Sequence, residues 1–270
     1  SDFFIDNEDK ESLRSKLRDH LDLEETAFII GRVGQAHPPN WSTTTIEIFE
    51  AVHVAGLKPY LLLVSPPGNI ITRAKRSRFR DYIILQPPTN DDQILRQYYA
   101  GFDVFLHCAS AGETFGYVNA EAILSRTAVL TIATPWGGGN SQIEVVKNGV
   151  SGFVFHKPQT AVNILIDLML GNRTLDSQEA IMDICNRFDH RAVALNAVNV
   201  ISNSTGRLEY PVKNPLFLLK QSEDAPSFLT LIFIFLGISQ LTKYSSGFEP
   251  WHKLSFWLIS KLLRVLQIKK

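Results

Sequence analysis

The chain has 270 residues, of which 45% are hydrophobic and 20% charged, and its 27 basic residues balance its 27 acidic residues. This length allows one large or two small domains with a sizeable core. The ordinary charge content argues against a largely disordered chain, and the zero balance argues against a dedicated nucleic-acid binder.

The charge is uneven along the chain. Residues 207–270 contain nine basic and four acidic residues, a balance of +5, which leaves −5 in residues 1–206. We therefore predict two parts, a domain over 1–206 and a basic, apolar tail over 207–270. With only two cysteines, Cys108 and Cys185, a disulfide scaffold or structural zinc site is not expected, which fits a reducing compartment. The first residues show no signal-peptide pattern, and a start at Ser1 indicates a fragment or a processed chain.

Short apolar runs alternate with amphipathic segments along the first part. Hydrophobic periodicity and flanking turn residues predict the elements in this order: helix 8–20, strand 27–30, helix 42–55 capped by Ser42, strand 60–64, strand 82–85, helix 91–99, strand 104–107, a turn and helix over 112–126, strand 128–132, helix 141–147, strand 153–155, and helices 160–170 and 176–186. This alternation predicts βαβ units and an α/β fold with a Rossmann-like, doubly wound parallel sheet.

Ligands of such sheets bind beyond the carboxyl ends of the strands. The turns after Ile30, Leu85, His107 and Ile132 are therefore the places to look for a site.

The tail has a different composition. Residues 228–241 are apolar except for Thr230, Ser239 and Gln240, but 14 residues are fewer than the roughly 20 needed to span a bilayer. Residues 254–268 combine apolar positions with a basic face, and Trp251 and Trp257 are close by. This pattern is typical of a helix lying on anionic lipid, so we expect a membrane surface as partner through residues 228–268. The alternative is a helix that packs on another domain.

The strongest local signal is the stretch from Gly112 to Ala122, which follows a predicted strand and opens a helix. Backbone amides at a helix start favour a phosphate, and Gly116 allows close approach to the backbone. Glu113 and Glu121 are eight residues apart, about 12 Å along a helix at roughly 1.5 Å per residue, and carboxylates accept hydrogen bonds from sugar hydroxyls. One glutamate at each end would suit a nucleotide-sugar. Taken alone, the spacing also fits two surface glutamates on an amphipathic helix.

Gly31-Arg32-Val33-Gly34 follows the first predicted strand and should face the same crevice. Arg32 is a permanent cation suited to a diphosphate, although a surface arginine at a strand end has the same pattern.

These motifs resemble the C-terminal, donor-binding half of a retaining GT-B glycosyltransferase of family 4. The resemblance runs from about residue 27 to 205 and rests on five stretches: Ile30-Gly31-Arg32-Val33, Pro39-Asn40-Trp41-Ser42, Tyr99 to His107, Gly112-Glu113-Thr114-Phe115-Gly116 through Glu121-Ala122, and Gln142 to Phe153. It implies no particular donor or acceptor.

The resemblance implies a role for each matching residue. Glu113 would contact the transferred sugar and act as the catalytic residue that positions it, Glu121 would bind the ribose, and Arg32 the diphosphate. The phosphate and sugar pocket would be lined by the backbones of Thr114, Phe115, Gly116, Tyr117 and Val118. The nucleotide base would lie against Gln86-Pro87-Pro88 and contact Pro88.

Two departures from the family pattern stand out. Asn40 occupies the place of a lysine. It can hydrogen-bond a phosphate and is one of the expected donor-binding residues, but it supplies no charge, and losing a charge-assisted contact costs about 1.5–3 kcal/mol of diphosphate stabilisation. This lost charge would be supplied by the cations at positions 73, 75, 76, 78 and 80 only if they fold toward the crevice. The alternative is that these cations form a solvated or lipid-facing surface. The acceptor-binding N-terminal half is also absent, so we expect this polypeptide alone to bind donor weakly and to transfer little.

The implied reaction is transfer of a sugar from a nucleoside diphosphate to a sugar, lipid-linked or protein acceptor, with retention at the anomeric carbon and with no metal or cofactor. The implied location is cytoplasmic, peripheral or monotopic at a membrane. His107 is either a base or a core histidine, and Asn140, Ser141 and Gln142 are candidates to touch sugar or acceptor. Two alternatives stay open: a sugar-nucleotide epimerase of GT-B fold, and an inactive scaffold domain.

Overall fold

The computed structural model describes residues 3–134 and 139–203, which form alternating helices and strands. The elements are α1 (Asn7–His20), β1 (Ile29–Val33), α2 (Thr44–Val54), β2 (Tyr60–Val64), α3 (Gly68–Lys75), β3 (Ile83–Gln86), α4 (Asp92–Gly101), β4 (Val104–His107), α5 (Tyr117–Leu124), β5 (Ala128–Ile132), α6 (Gln142–Val145), β6 (Gly152–Phe155), α7 (Pro158–Met169), α8 (Ser177–Phe188) and α9 (His190–Asn203). Short 3-10 turns at Pro38–Asn40 and Arg80–Tyr82 precede α2 and β3.

The six strands form one parallel sheet in the order β3-β2-β1-β4-β5-β6. This is the doubly wound order of a Rossmann-like fold, and it confirms the predicted fold class. Strands buried on both faces read as continuous apolar runs, and β2 and β4 are of this kind.

Two apolar layers lie on opposite faces of the sheet. On one face, α2, α3 and α7 pack through residues such as Phe49, Ile70 and Leu165. On the other face, α1, α4, α5 and α8 pack through residues such as Leu17 and Tyr99. Successive strand residues alternate between the two layers, as the period-2 geometry of a strand requires.

The sheet order reverses between β1 and β4. Their ladder has two registered pairs, Ile30 with Val104 and Gly31 with Phe105, and ends there. Beyond it the chain leaves the carboxyl ends of β1 and β4 toward opposite faces, which opens a crevice at the switch point. The predicted end of the first strand at residue 30 is wrong: β1 continues to Val33, so Arg32 lies inside the strand.

Other boundaries also differ from the prediction. The N-cap of α2 is Thr43, not Ser42, and its side chain makes no capping bond. The helix α3, between the parallel strands β2 and β3, was not predicted. Its eight residues mix apolar or small residues with polar and basic ones, which obscures the apolar face of a short helix. The helix α9 was missed as well.

The predicted tail lies outside the described residues, as do residues 135–138, so its membrane role stays a prediction. Across 3–134 and 139–203, no helix combines the length and apolar character needed to cross a membrane.

Gly31 brings β1 against α4, because a Cβ at this position would lie 2.1 Å from the Phe102 ring. We expect Gly31→Ala to destabilise the domain by about 2 kcal/mol, the usual scale of overpacking a fixed core. Gly68→Ala is the matched control, because no atom lies within 4 Å of its added Cβ and alanine favours a helix. Urea unfolding of both variants measures the difference; equal stabilities would contradict this packing.

Candidate functional site

The loop between β4 and α5 lies beside the switch point and contains most of the predicted site. It is fastened to the turn after β1: the amides of Ser110 and Ala111 donate to the carbonyl of Pro39 at 3.0 and 3.1 Å. The Ser110 hydroxyl also donates to the carbonyl of Trp41 at 2.5 Å. The loops that follow β1 and β4 therefore form one connected rim.

Glu113 has its carboxylate directed to the end of β4. Its Oε1 lies 2.9 Å from Nε2 of His107, and Nδ1 of His107 lies 3.0 Å from the hydroxyl of Thr131 on β5. A carboxylate only accepts, so Nε2 carries the proton, and Nδ1 of the neutral ring accepts from Thr131. His107 is fully buried, whereas the Glu113 side chain is 22% exposed, so part of the Glu113 side chain stays open to solvent.

The protonation states follow from burial and the neighbouring charges. Burial, followed by the charge of Arg32, lowers the pKa of His107 to about 4, so the imidazole is neutral at physiological pH. Partial burial by itself would raise the pKa of Glu113, but the hydrogen bond from His107 and the charge of Arg32 outweigh it and keep the pKa below its ordinary value. The result is an ionised carboxylate held by a neutral donor. With both nitrogens engaged, His107 does not have the arrangement of a general base.

Arg32 is buried, with 1% of its surface exposed. Its Nη1 and Nη2 donate to the carbonyls of Val33 and Asn40 at 2.5 and 2.7 Å, and the guanidinium stacks over Trp41 at 4.9 Å and lies 5.6 Å from the Phe105 ring centroid. Burial lowers its pKa, but an arginine stays protonated. Its Nε has no partner among the described residues. Arg32 therefore places a buried positive charge beneath the rim, close enough for the charge of Glu113 to act on it, and no carboxylate of the described residues forms an ion pair with it.

The backbone of Glu113 is fixed as firmly as its side chain. Its amide donates to the carbonyl of Gly139 at 3.0 Å and to Oε1 of Gln142 at 3.2 Å, and its carbonyl accepts from Ser141 at 3.0 Å. Gly112 has φ +73° and faces Gly139 so closely that an added Cβ would lie 1.8 Å from the Gly139 carbonyl oxygen. Only a glycine permits this approach.

Gln142 and Asn140 complete this network. Gln142 is fully buried and donates to Ile132, Thr134 and Asn140, while Oδ1 of Asn140 accepts from the amide of Thr134 at 2.8 Å. These side chains, considered above as sugar or acceptor contacts, fasten the loop after β5 to Glu113.

The remaining residues of the motif surround the start of α5. Gly116 is the N-cap, in the left-handed conformation, and among the described residues no side chain caps the amides of the first turn. Thr114 is exposed, Tyr117 is 72% exposed, Val118 is half-buried, and the Phe115 ring packs on Phe188 at 5.2 Å. Since α5 begins at Tyr117, Glu113 lies in the turn before the helix, and the assumption of 12 Å along one helix is wrong.

Glu121 lies one turn into α5 and is supported from the core. Its Oε2 accepts from the hydroxyl of Tyr99 at 2.7 Å, and Tyr99 is only 1% exposed. Burial raises the pKa of Glu121, the Tyr99 bond opposes this, and Asp92 adds to the rise. The two glutamates therefore differ: the pKa of Glu113 is lowered and that of Glu121 is raised.

Two predicted residues lie further out. Asn40 ends the 3-10 turn after β1 and uses its backbone carbonyl to bind Arg32. Pro88 is exposed just beyond β3, at the same edge of the sheet.

Periodicity gave no signal for the supporting roles of Thr131 and Tyr99, because a core threonine or tyrosine has the same pattern. Across the described residues, no group of three or more His, Cys, Asp or Glu side chains is placed to hold a metal ion.

A scan against known protein families finds no match, and no curated protein matches the sequence. Solved structures match in fold. HepE from Anabaena, solved in complex with UDP and glucose, is 20% identical with a TM-score of 0.54, and the match covers 71% of this chain and 52% of HepE. WaaG, a glycosyltransferase involved in lipopolysaccharide biosynthesis, is 18% identical with a TM-score of 0.52, covering 71% of this chain and 51% of WaaG.

Sucrose-phosphate synthase from Thermosynechococcus elongatus is 21% identical, with a TM-score of 0.52, and the match covers 71% of this chain and 50% of the synthase. The chain thus has the Rossmann-like sheet of its GT-B glycosyltransferase neighbours and spans about half the length of these structures.

The contact between His107 and Glu113 can be tested without any ligand. We expect His107→Leu to raise the pKa of Glu113, because the hydrogen bond is lost while burial remains. His107→Gln can still donate to the carboxylate and should keep most of the lowered pKa. Carbon-13 NMR titration of the Glu113 carboxyl measures both variants, and an unchanged titration in His107→Leu would show that His107 does not set this pKa.

Proposed function

We propose that residues 1–206 are the nucleotide-sugar-binding half of a retaining glycosyltransferase of family 4. The single observation that supports this most is the ionised Glu113 at the switch point, held by a neutral His107 and followed by a helix start with no side-chain cap. The fold likeness to glycosyltransferases is consistent with it, as is HepE, a neighbour solved with UDP-glucose.

The donor would lie along the carboxyl edge of the sheet. The diphosphate would be stabilised by the amides of Tyr117 and Val118, which a helix dipole makes favourable for an anion, and by the buried charge of Arg32. Glu113 would accept hydrogen bonds from the transferred sugar through its exposed part. Glu121 has one oxygen engaged by Tyr99, which leaves the other for a ribose hydroxyl. The nucleotide base would contact Pro88.

In the reaction, the bond between the anomeric carbon and a diphosphate oxygen breaks, and a bond to the acceptor hydroxyl oxygen forms on the same face. The acceptor proton passes to the departing diphosphate. Both nitrogens of His107 are engaged, which supports this route over proton removal by His107. The chain's residues would act by preorganised electrostatics and positioning. No metal or cofactor is part of this proposal.

Two further parts complete the proposal. An N-terminal acceptor domain would supply the other side of the active site for a sugar, lipid-linked or protein acceptor. The tail over 207–270 would place the protein at a cytoplasmic membrane surface, because its sequence combines apolar runs, tryptophans and a charge of +5.

Glu113 can be tested by comparing UDP with UDP-glucose in calorimetry on the full chain. Because Glu113 would touch only the sugar, Glu113→Ala should leave the UDP affinity within about twofold and remove the extra affinity that glucose adds, roughly tenfold. Glu144→Ala is the matched control, since Glu144 is exposed on the neighbouring helix α6.

Three results would redirect the proposal. Equal loss of UDP and UDP-glucose binding in Glu113→Ala would place Glu113 elsewhere than at the sugar. No binding of uridine, guanosine or adenosine diphosphate would favour the inactive scaffold, which Asn40 in place of a lysine suggests. An isomerised sugar after incubation without acceptor would favour the epimerase.

The raised pKa of Glu121 predicts a pH dependence. Ribose binding needs the ionised carboxylate, so affinity for UDP should fall as the pH is lowered from neutral into the mildly acidic range, where a carboxyl group with a raised pKa takes up its proton. Glu113 and His107 stay in one protonation state over this range, because their pKa values are lowered. UDP itself takes up a proton near about pH 6, so the part due to Glu121 is the difference between wild type and Glu121→Gln in calorimetry. Parallel pH profiles would contradict a role for Glu121.

A further inference from the structure

A basic groove lies between α2 and α3, away from the switch point. It has a volume of about 560 Å³ and is lined by Glu50, Ala51, Val54, Arg73, Arg76 and Arg78. Lys75 and Arg80 are exposed beside it, so residues 73–80 contain five cations and no acid. Arg80 forms an ion pair with the next residue, the exposed Asp81, at 3.7 Å. Such a concentration is unusual in a part of the chain whose balance is −5.

The one acid in the groove is already neutralised. The two oxygens of Glu50 accept from Nη1 and Nη2 of Arg73 at 2.9 and 2.5 Å, and Oε1 also accepts from the hydroxyl of Ser77 at 2.6 Å. Ser77 is 2% exposed, and its hydroxyl accepts from the amide of Phe79 at 3.2 Å. This cluster holds the basic segment in place, and its ion pair involves only Arg73 among the arginines of the groove.

Arg76 and Arg78 add two further positive charges to the groove. Neither makes an ion pair with any described residue, and both are exposed. The guanidinium of Arg78 lies over the Phe79 ring at 4.6 Å, an arrangement that leaves its in-plane N–H donors free. Val54 adds an apolar side chain that is 64% exposed at the same groove. The groove is thus cationic along the segment from Arg73 to Arg78, and Ala51 and Val54 of α2 add apolar surface beside the paired Glu50.

We propose that this basic groove is a contact surface for an anionic lipid bilayer. Clusters of four to eight lysines and arginines bind acidic headgroups, and an exposed valine beside them suits the boundary between headgroups and acyl chains. A nucleic acid fits less well, because the lining offers no aromatic ring or amide for bases and includes the exposed apolar side chain of Val54. The inference is compatible with the proposed membrane role of the tail but rests on different residues.

The experiment uses the full chain and vesicles of phosphatidylcholine alone or with about one third phosphatidylglycerol. Arg76→Gln with Arg78→Gln should reduce partitioning onto the anionic vesicles by roughly tenfold and leave partitioning onto neutral vesicles unchanged. Arg73 is not substituted, because it neutralises Glu50. The control removes the same charge from exposed positions elsewhere, by Lys16→Gln with Arg191→Gln, and should behave as wild type. Thermal melting confirms that both double variants are folded.

The arms separate the possible failures. Wild-type partitioning of the groove variant, or an equal loss in the control, would overturn the proposal, since any anionic-lipid binding would then come from the tail or from net charge. Binding of a DNA duplex that the groove variant abolishes, without an effect on vesicles, would overturn it in favour of a nucleic acid. UDP binding by the groove variant reports separately on the nucleotide site, so failure there is distinguishable from failure here.

Discussion

The hydrogen bond from His107 to Glu113 is the contact on which the rest of the site depends. It is made by a neutral imidazole, because burial and the charge of Arg32 lower the pKa of His107 to about 4. The orientation of the ring is fixed by a second hydrogen bond, which Nδ1 of His107 accepts from the hydroxyl of Thr131. Three adjacent features of the sheet, the ends of β1, β4 and β5, therefore contribute to one carboxylate. A site built on strands in this way is more exactly positioned than one built on loops alone.

The two glutamates show how one motif can carry two electrostatic environments. Glu113 is paired with a neutral donor near a buried cation and stays ionised. Burial and the nearby Asp92 raise the pKa of Glu121 and favour its protonated form, although the hydrogen bond from Tyr99 opposes this. Both partners come from the core rather than the crevice. Each glutamate is thereby oriented by a buried residue, while part of its carboxylate is not engaged by these partners.

Much of the fold followed from the sequence because strands buried on both faces read as continuous apolar runs, and β2, β4 and β5 were predicted with their observed bounds. The eight-residue α3 was missed because its basic positions obscure the apolar face of Ile70 and Ala74. Gly31 made the first strand look three residues too short at its end, and Arg32 was placed in a turn. The partners Thr131 and Tyr99 could not be predicted, because register between distant strands and helices decides which core residue meets each glutamate.

The parallel bridge between Glu113 and Asn140 has a consequence for how this region can vary. It joins the loops that follow two neighbouring strands, so neither loop can gain or lose residues at the bridge without moving the carboxylate. Changes in length are confined to the outer parts of both loops, beyond residues 112–116 and 139–142. Any divergence in ligand preference would have to arise there or by substitution, and grafting one loop without the other should misplace Glu113.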